Sequence, residues 1–143
     1  MFKRVLFVCM GNICRSPAAE AILQHARPEL KVSSAGLDAF VGELVDEEIE
    51  NILNKHEIPV RHFARQLDTG MVRRADLIIV MEKFQEDAIL EEHPEARGKV
   101  VLLGKWNEDE EIEDPYMRSQ HTYSKAYKKI KHNIDIWCEK VFI

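Results

Sequence analysis

The chain has 143 residues, of which 45% are hydrophobic, and its 20 Lys and Arg against 25 Asp and Glu give a formal net charge of −5. A chain of this length buries roughly two-thirds of the surface that its unfolded form exposes, which is enough for a hydrophobic core without disulfide bonds or structural zinc. We therefore expect a single domain over residues 1–143. The acidic balance disfavours nucleic acid as a partner, because such binding depends on a broad cationic surface.

The cysteine content and the apolar runs predict the cellular compartment of the protein. Its three cysteines form no CxxC pair, which is typical of a reducing compartment rather than of a secreted disulfide framework. The run Val5–Val8 is too short for a secretion signal, and Leu77–Met81 is far shorter than the roughly 20 residues of a membrane-spanning helix. We expect a cytoplasmic protein with no signal peptide and no membrane insertion.

The first half of the chain reads as strand, helix, strand, helix. Arg4–Val8 is a buried strand, and Ser16 can cap a following helix in which Pro17 takes the first helical position. Lys31–Ala35 is a second strand. The apolar residues of the next helix recur at helical spacing, at Val45, Ile49, Ile52 and Leu53.

The second half continues the alternation. Leu77–Met81 and Val100–Leu103 read as fully buried strands, with a helix over Phe84–Glu92 between them. The acidic run Glu108–Glu113 reads as a solvated loop. One apolar stripe marks a long C-terminal helix, at Tyr123, Tyr127, Ile130, Ile134, Trp137 and Val141.

Four apolar strands that alternate with helices predict an α/β fold, a four-stranded parallel sheet with helices on both faces in a Rossmann-like (flavodoxin-like) three-layer sandwich. Such sheets bind ligands at the carboxyl ends of their strands. The loops after the first and the last strand should therefore lie at the same edge.

The loop after the first strand has the pattern C-x5-R, from Cys9 to Arg15, and ends where a helix begins. Main-chain N–H groups at a helix N-terminus attract anions, and the guanidinium of Arg15 can hold two phosphoryl oxygens. The same donors favour the thiolate of Cys9, which would be the nucleophile. Ser16 either donates a hydrogen bond to that sulfur or caps the helix. The predicted phosphate-binding residues are Met10, Gly11, Asn12, Ile13, Cys14, Arg15 and Ser16.

Breaking a phosphate ester also requires an acid for the leaving oxygen. Asp114 is the strongest candidate, because it follows the last strand and is stiffened by Pro115. An Asp-Pro pair is also common in plain turns. Tyr116 could form an aromatic wall for a flat substrate.

The sequence CMGNICRSP at residues 9–17 and DPY at residues 114–116 resemble the low-molecular-weight protein tyrosine phosphatases. The likeness is strongest to the bacterial branch that acts with tyrosine autokinases of capsule and exopolysaccharide export. It implies that Cys9 takes the phosphoryl group while Asp114 protonates the tyrosyl oxygen, and that water then releases inorganic phosphate. No metal or other cofactor is implied.

The resemblance also assigns supporting residues. Asn12, Ser16, Ser34 and His62 match positions that brace the loop. Leu37, Phe40 and Tyr116 match positions on the rim of the substrate cavity. Cys14 matches a cysteine that can form a reversible disulfide with the nucleophile. The implied partner is a phosphotyrosine protein, such as the cytoplasmic tail of a membrane tyrosine autokinase.

Three other functions are alternatives for a chain with this loop. An arsenate reductase of the same fold needs two further cysteines in the middle of the chain, and there is none between Cys14 and Cys138. A phosphoarginine phosphatase resembles this loop but tends to have threonine at the position of Ile13 and DPF in place of DPY. A phosphotyrosine-binding module without turnover would have no use for Cys9 and Asp114 together.

Overall fold

The computed structural model describes residues 2–143. Four strands and five α-helices alternate along the chain, with one 3₁₀ turn at Pro94–Ala96. The strands are β1 (Arg4–Cys9), β2 (Lys31–Gly36), β3 (Leu77–Val80) and β4 (Val100–Leu102). The helices are α1 (Arg15–Ala26), α2 (Glu47–Lys55), α3 (Thr69–Arg74), α4 (Lys83–Glu92) and α5 (Gln120–Lys140).

The strands form one parallel sheet in the order β2-β1-β3-β4. Side chains alternate between its two faces, as in any strand. On one face Val5, Phe7 and Cys9 of β1 join a core cluster with α1, α2 and α5. On the other face Leu6 and Val8 join a cluster with α3 and α4. The predicted three-layer α/β sandwich is therefore confirmed.

Helices α1 and α2 begin at residues other than those predicted. Helix α1 begins at Arg15, so Ser16 lies inside the first turn and is not the N-cap. Helix α2 begins at Glu47, because Asp46 accepts a hydrogen bond from the N–H of Glu48 and caps it, which leaves Val45 before the helix. The six-residue helix α3 was not predicted, since it is too short to show an apolar period.

The prediction of a solvated loop at Glu108–Glu113 is wrong at Ile112, whereas Glu111 and Glu113 are exposed. Ile112 is fully buried, and its N–H donates to the carbonyl of Met81 at 3.0 Å. Glu110 accepts a hydrogen bond from Asn133 of α5 at 2.9 Å. The segment is therefore fixed between β3 and α5, and it reaches the carboxyl edge of the sheet in a defined position.

Within residues 2–143, none of the helices has the length and apolar character that crossing a lipid bilayer requires.

Candidate active site

The loop between β1 and α1, residues 9–16 and called the Cys9 loop below, has its carbonyl oxygens turned outward. Each carbonyl from residue 9 to residue 13 accepts a hydrogen bond from outside the loop, at distances between 2.6 and 3.0 Å. The donors are the main-chain N–H groups of Leu37, Asp38, Phe40 and Asp46 and the Nε2 atom of His62. These contacts hold the loop in one conformation.

The N–H groups of the same loop remain available. Among the described residues, no main-chain N–H of residues 10–14 donates to a protein acceptor. Unsatisfied donors at the start of a helix, where the helix dipole adds partial positive charge, favour the binding of an anion. The residues predicted to bind phosphate therefore form a continuous cradle.

Gly36 at the end of β2 lets the chain pass close beneath this cradle. A Cβ atom added to Gly36 would lie 2.4 Å from the carbonyl oxygen of Met10. Any side chain here would push β2 away from the Cys9 loop, so the position requires glycine.

Asn12 fixes the direction of the hydrogen bonds behind the loop. It is fully buried, with a left-handed backbone (φ 59°). Its Oδ1 accepts from the main-chain N–H of Arg65 at 2.8 Å. A main-chain N–H can only donate, so this contact sets which end of the Asn12 amide is oxygen and which is nitrogen.

The nitrogen of Asn12 then orients two serines. Nδ2 donates to Ser16 Oγ at 2.8 Å and to Ser34 Oγ at 3.0 Å. Each hydroxyl accepts that bond and keeps its own hydrogen for a second partner. Ser34 donates to Glu20 Oε1 at 2.6 Å, and Ser16 lies 2.9 Å from Cys9 Sγ. Ser16 is therefore the donor to the sulfur of Cys9. Of its two predicted roles, donor to the sulfur and helix cap, its position in the structure matches the first.

His62 completes this support from the opposite side. Its Nε2 lies 2.6 Å from the carbonyl of Asn12, where it donates. Burial lowers the pKa of His62, so the ring is neutral at pH 7. Its Nδ1 faces Glu20 at 3.8 Å, and burial raises the pKa of Glu20, an effect that the hydroxyl of Ser34 partly offsets. The four predicted bracing residues thus form one network.

Arg15 is almost completely buried, with 1% of its surface exposed. Its Nη1 donates to Glu82 Oε2 at 2.6 Å and to the carbonyl of Ile112 at 2.8 Å. Its Nε is buried without a hydrogen-bond partner. One edge of the guanidinium is anchored by protein. The other edge, formed by Nε and Nη2, makes no hydrogen bond to the described part of the protein and can bind two oxygens of a phosphoryl group.

Asp114 meets this free edge. Its Oδ2 lies 3.5 Å from Arg15 Nη2, and its Oδ1 accepts from the N–H of Tyr116 at 3.1 Å. The side chain is 44% exposed. Cys9, Arg15 and Asp114 line the same cavity of about 160 Å³. The three residues predicted to be catalytic are therefore brought together.

Two aromatic rings form the mouth of that cavity. The centroids of Phe40 and Tyr116 lie 5.4 Å apart, with the rings tilted by 46°. Leu37 requires a correction, because it packs against the core cluster of the α3 face and does not line the cavity. Asp38 lines the cavity instead.

Cys14 differs sharply from Cys9 although both belong to one loop. Burial raises the pKa of the Cys14 thiol far above its usual range, and the carboxylate of Asp46 raises it further. Cys14 therefore stays protonated at neutral pH. Both cysteines are free thiols in the structure.

Several residues of the site were missed by sequence reasoning. Glu20, Arg65 and Glu82 hold Ser34, Asn12 and Arg15, respectively. A faint signal existed only for Glu20, which lies one helical turn after Ser16. The others are distant in sequence, and nothing in the local pattern marks them. Among residues 2–143, no group of three His, Cys, Asp or Glu side chains is placed to hold a metal ion.

Comparison with known proteins agrees with this geometry. The family model for low molecular weight phosphotyrosine protein phosphatase matches residues 4–142. The low molecular weight protein-tyrosine-phosphatase Wzb of Escherichia coli (strain K12) is 43% identical over 97% of this chain and 95% of its own length.

Two solved structures extend the comparison. Wzb of Vibrio vulnificus in complex with benzylphosphonate superposes with a TM-score of 0.96 at 36% identity, covering 99% of this chain and 100% of that one. The YwlE arginine phosphatase of Geobacillus stearothermophilus superposes with a TM-score of 0.92 at 32% identity, covering 99% and 93%. With a family match over nearly its whole length and a relative above 40% identity, this chain belongs to the low-molecular-weight phosphotyrosine protein phosphatase family.

Proposed function

We propose that residues 1–143 form one catalytic domain that hydrolyses phosphotyrosine in proteins through a phosphocysteine intermediate. The observation that carries the proposal is the cavity in which Cys9, the free edge of Arg15 and Asp114 converge. Cys9 is 2% exposed, and the N–H groups of residues 10–14 in its loop have no protein acceptor within residues 2–143. This is the place where those donors would hold a phosphoryl group.

In the first step the Cys9 thiolate attacks phosphorus, the bond from phosphorus to the tyrosyl oxygen breaks, and Asp114 gives its proton to that oxygen. In the second step Asp114 accepts a proton from water as the water oxygen attacks phosphorus. The sulfur–phosphorus bond then breaks, which releases inorganic phosphate and restores the thiolate. The charge that develops on the phosphoryl oxygens is met by the loop N–H groups and by Arg15.

The preference for phosphotyrosine is proposed from the shape of the entrance. The sulfur lies at the buried end of the cavity, and the rings of Phe40 and Tyr116 flank its mouth. An aryl phosphate can pass between two rings and still reach the sulfur, whereas a serine phosphate is shorter. Ile13 also lines the cavity, and the apolar surface that it supplies favours an aromatic ring over a guanidinium.

A panel of phosphotyrosine, phosphoserine and phosphoarginine peptides of otherwise identical sequence tests this function. We expect kcat/KM for the phosphotyrosine peptide to exceed the values for the other two peptides by about 100-fold or more. A site discriminates strongly against a substrate that leaves the buried polar groups of the site without partners. Higher kcat/KM on phosphoarginine would contradict the substrate assignment. Saturable binding without release of phosphate would instead indicate a binding module.

We further propose that the protein works in the cytoplasm on a membrane tyrosine autokinase of exopolysaccharide or capsule production. The support is the resemblance of the Cys9 loop and of residues 114–116 to the bacterial branch, together with the three free cysteines. The test is dephosphorylation of the phosphorylated cytoplasmic tail of such a kinase. If the tail is hydrolysed no faster than an unrelated phosphotyrosine peptide, this partner is wrong.

A further inference from the structure

A second cavity lies away from the active site, beside the amino-terminal halves of β1 and β2. It has a volume of about 220 Å³ and is lined on the α3 face by Leu6, Ser33 and Met71, among others. Four basic residues also line it, and we call it the basic cavity after them: Arg4, Lys31, Arg65 and Arg74. No acidic residue is among those that line it.

The concentration of positive charge here is unusual for a chain with a net charge of −5. Arg4 and Lys31 are direct partners in the register of β1 and β2. Like charges opposite one another on neighbouring strands are destabilising. Both side chains are exposed, and an anion bound between them would remove the repulsion that remains after screening by solvent.

Two carboxylates act on these cations, but only from a distance: Glu20 on Arg65 and Asp76 on Arg4. Within residues 2–143, none of the four makes an ion pair with a carboxylate. The guanidinium of Arg65 donates to the carbonyl of Ser34 at 3.1 Å. The carboxylate of Asp76 is near Arg4, but its Oδ2 accepts the main-chain N–H groups of Lys3 and Arg4, each at 2.9 Å.

The cavity exists because the α3 face of the sheet is covered unevenly. Helix α3 has only six residues and ends at Arg74, so the edge strand β2 is left partly open beside it. Ser33 is half-buried there, and its hydroxyl could donate to an anion. The cavity therefore combines cations from four different segments with the hydroxyl of Ser33.

We propose that the basic cavity binds the oligophosphate group of a small anion, either free or as part of a nucleotide. One phosphate carries roughly −1.5 to −2 charges at pH 7, which leaves four cations incompletely balanced. A chain of two or three phosphates supplies more charge and spans cations on separate strands. This site is independent of the proposed phosphatase function, because it shares no residue with the cavity that contains Cys9.

The test is calorimetric titration of the full chain with tripolyphosphate at low ionic strength, with phenylphosphonate present to occupy the active site. The test variant is Lys31→Gln/Arg74→Gln. Arg65 is left unchanged because its main-chain N–H holds Asn12. The control is Lys55→Gln/Lys128→Gln, which removes the same charge from exposed positions on α2 and α5.

We expect the wild-type and control proteins to bind tripolyphosphate alike and the test variant to bind about tenfold more weakly or worse, since two charge-assisted contacts are lost. An equal loss in both double variants would show unspecific charge attraction and overturn the proposal. The absence of any binding beyond the active site would overturn it as well.

Two further measurements complete the test. Tighter binding of adenosine triphosphate than of tripolyphosphate would support a nucleotide as the ligand, and equal binding would support the free oligophosphate. Amide chemical shifts can be measured on the wild-type protein, so this second test does not depend on whether a variant folds. Tripolyphosphate should shift residues 31–33 and 74, and shifts confined to residues 9–16 would contradict the proposal.

Discussion

The two loops that supply the catalytic groups are built differently. The Cys9 loop is buried, and every carbonyl from residue 9 to residue 13 is bonded to a neighbouring segment. The Asp114 loop, residues 113–117, is mostly exposed and is held by few contacts, such as the bond from the N–H of Met117 to the hydroxyl of Tyr123 at 3.2 Å.

The difference matches the tasks of the two loops. Donors that stabilise charge in a transition state are effective when they are fixed in advance. A group that gives up a proton and later accepts one must exchange with solvent, and Asp114, with 44% of its side chain exposed, can do so. Fixed geometry thus serves phosphoryl binding, and exposure serves proton transfer.

The largest effect should come from removing the nucleophile while leaving the fixed loop intact. Cys9→Ser should lower kcat by about 10⁴-fold or more, because a serine hydroxyl is not ionised at neutral pH. Binding of a phosphotyrosine peptide, measured by calorimetry, should persist, since the loop N–H groups are unchanged. Cys138→Ser, at a buried thiol of α5, is the matched control and should retain turnover. Near-normal turnover by Cys9→Ser would exclude Cys9 as nucleophile.

Substitution of the acid in the exposed Asp114 loop should affect the two kinds of substrate differently. Asp114→Asn should reduce kcat/KM for phenyl phosphate by about 100- to 1,000-fold but that for p-nitrophenyl phosphate much less, because a good leaving group needs little protonation. Glu113→Gln is the control, since Glu113 is an exposed carboxylate paired only with Arg118 at 3.3 Å. An equal loss on both substrates would exclude Asp114 as the acid.

The two loops also differ in how much the sequence could predict. The Cys9 loop is local, so the C-x5-R pattern after a strand was sufficient to identify its residues. The position of Asp114 required only the rule that parallel strands end at one edge. Ser16 kept two possible roles, because its orientation depends on Arg65, which lies 49 residues later in the chain and is seen only in the fold.

Some residues were assigned wrongly for similar reasons. Leu37 was expected on the rim because of the family resemblance, but in the structure it lies in the turn after β2 and packs against the α3-face core. Ile112 was placed in a solvated run because acidic residues surround it. Its burial, and the bond of its carbonyl to Arg15, follow from the tertiary position of the segment.

Within the Cys9 loop, the direction of the hydrogen bonds gives a smaller and sharper test. Ser16→Ala should lower kcat about tenfold, because one hydrogen bond to a charged sulfur is lost. Ser34→Ala should have a weaker effect, since Ser34 reaches the sulfur only through Asn12 and Ser16.

The matching readout is the rate at which iodoacetate alkylates each cysteine near neutral pH. Cys9 should react more slowly in Ser16→Ala than in Ser34→Ala. Cys14 should stay unmodified in all variants until the pH is strongly alkaline, because burial and Asp46 raise the pKa of its thiol. A larger effect of Ser34→Ala than of Ser16→Ala on Cys9 would contradict the assigned direction of these bonds.

The smallest effect concerns Phe40, which connects the two loops. Its main-chain N–H holds the carbonyl of Gly11 at 3.0 Å, while its ring contacts Tyr116 of the Asp114 loop. Its ring also covers Gly11, since a Cβ atom added to Gly11 would lie 2.8 Å from two of the ring carbons. Phe40→Ala keeps the main-chain bond and removes both ring contacts, of which the aromatic pair is worth about 0.5–1.5 kcal/mol.

We therefore expect Phe40→Ala to raise KM for a phosphotyrosine peptide by about 2- to 10-fold with kcat nearly unchanged. Leu37→Ala should behave oppositely. It should lower the free energy of unfolding, measured by urea denaturation, by about 1–2 kcal/mol, because Leu37 is only partly buried in the core, and it should leave KM unchanged. If Phe40→Ala lowered kcat as strongly as Ser16→Ala, its ring would have to support the Cys9 loop itself. The contrast between one fixed and one exposed loop would then no longer hold at their junction.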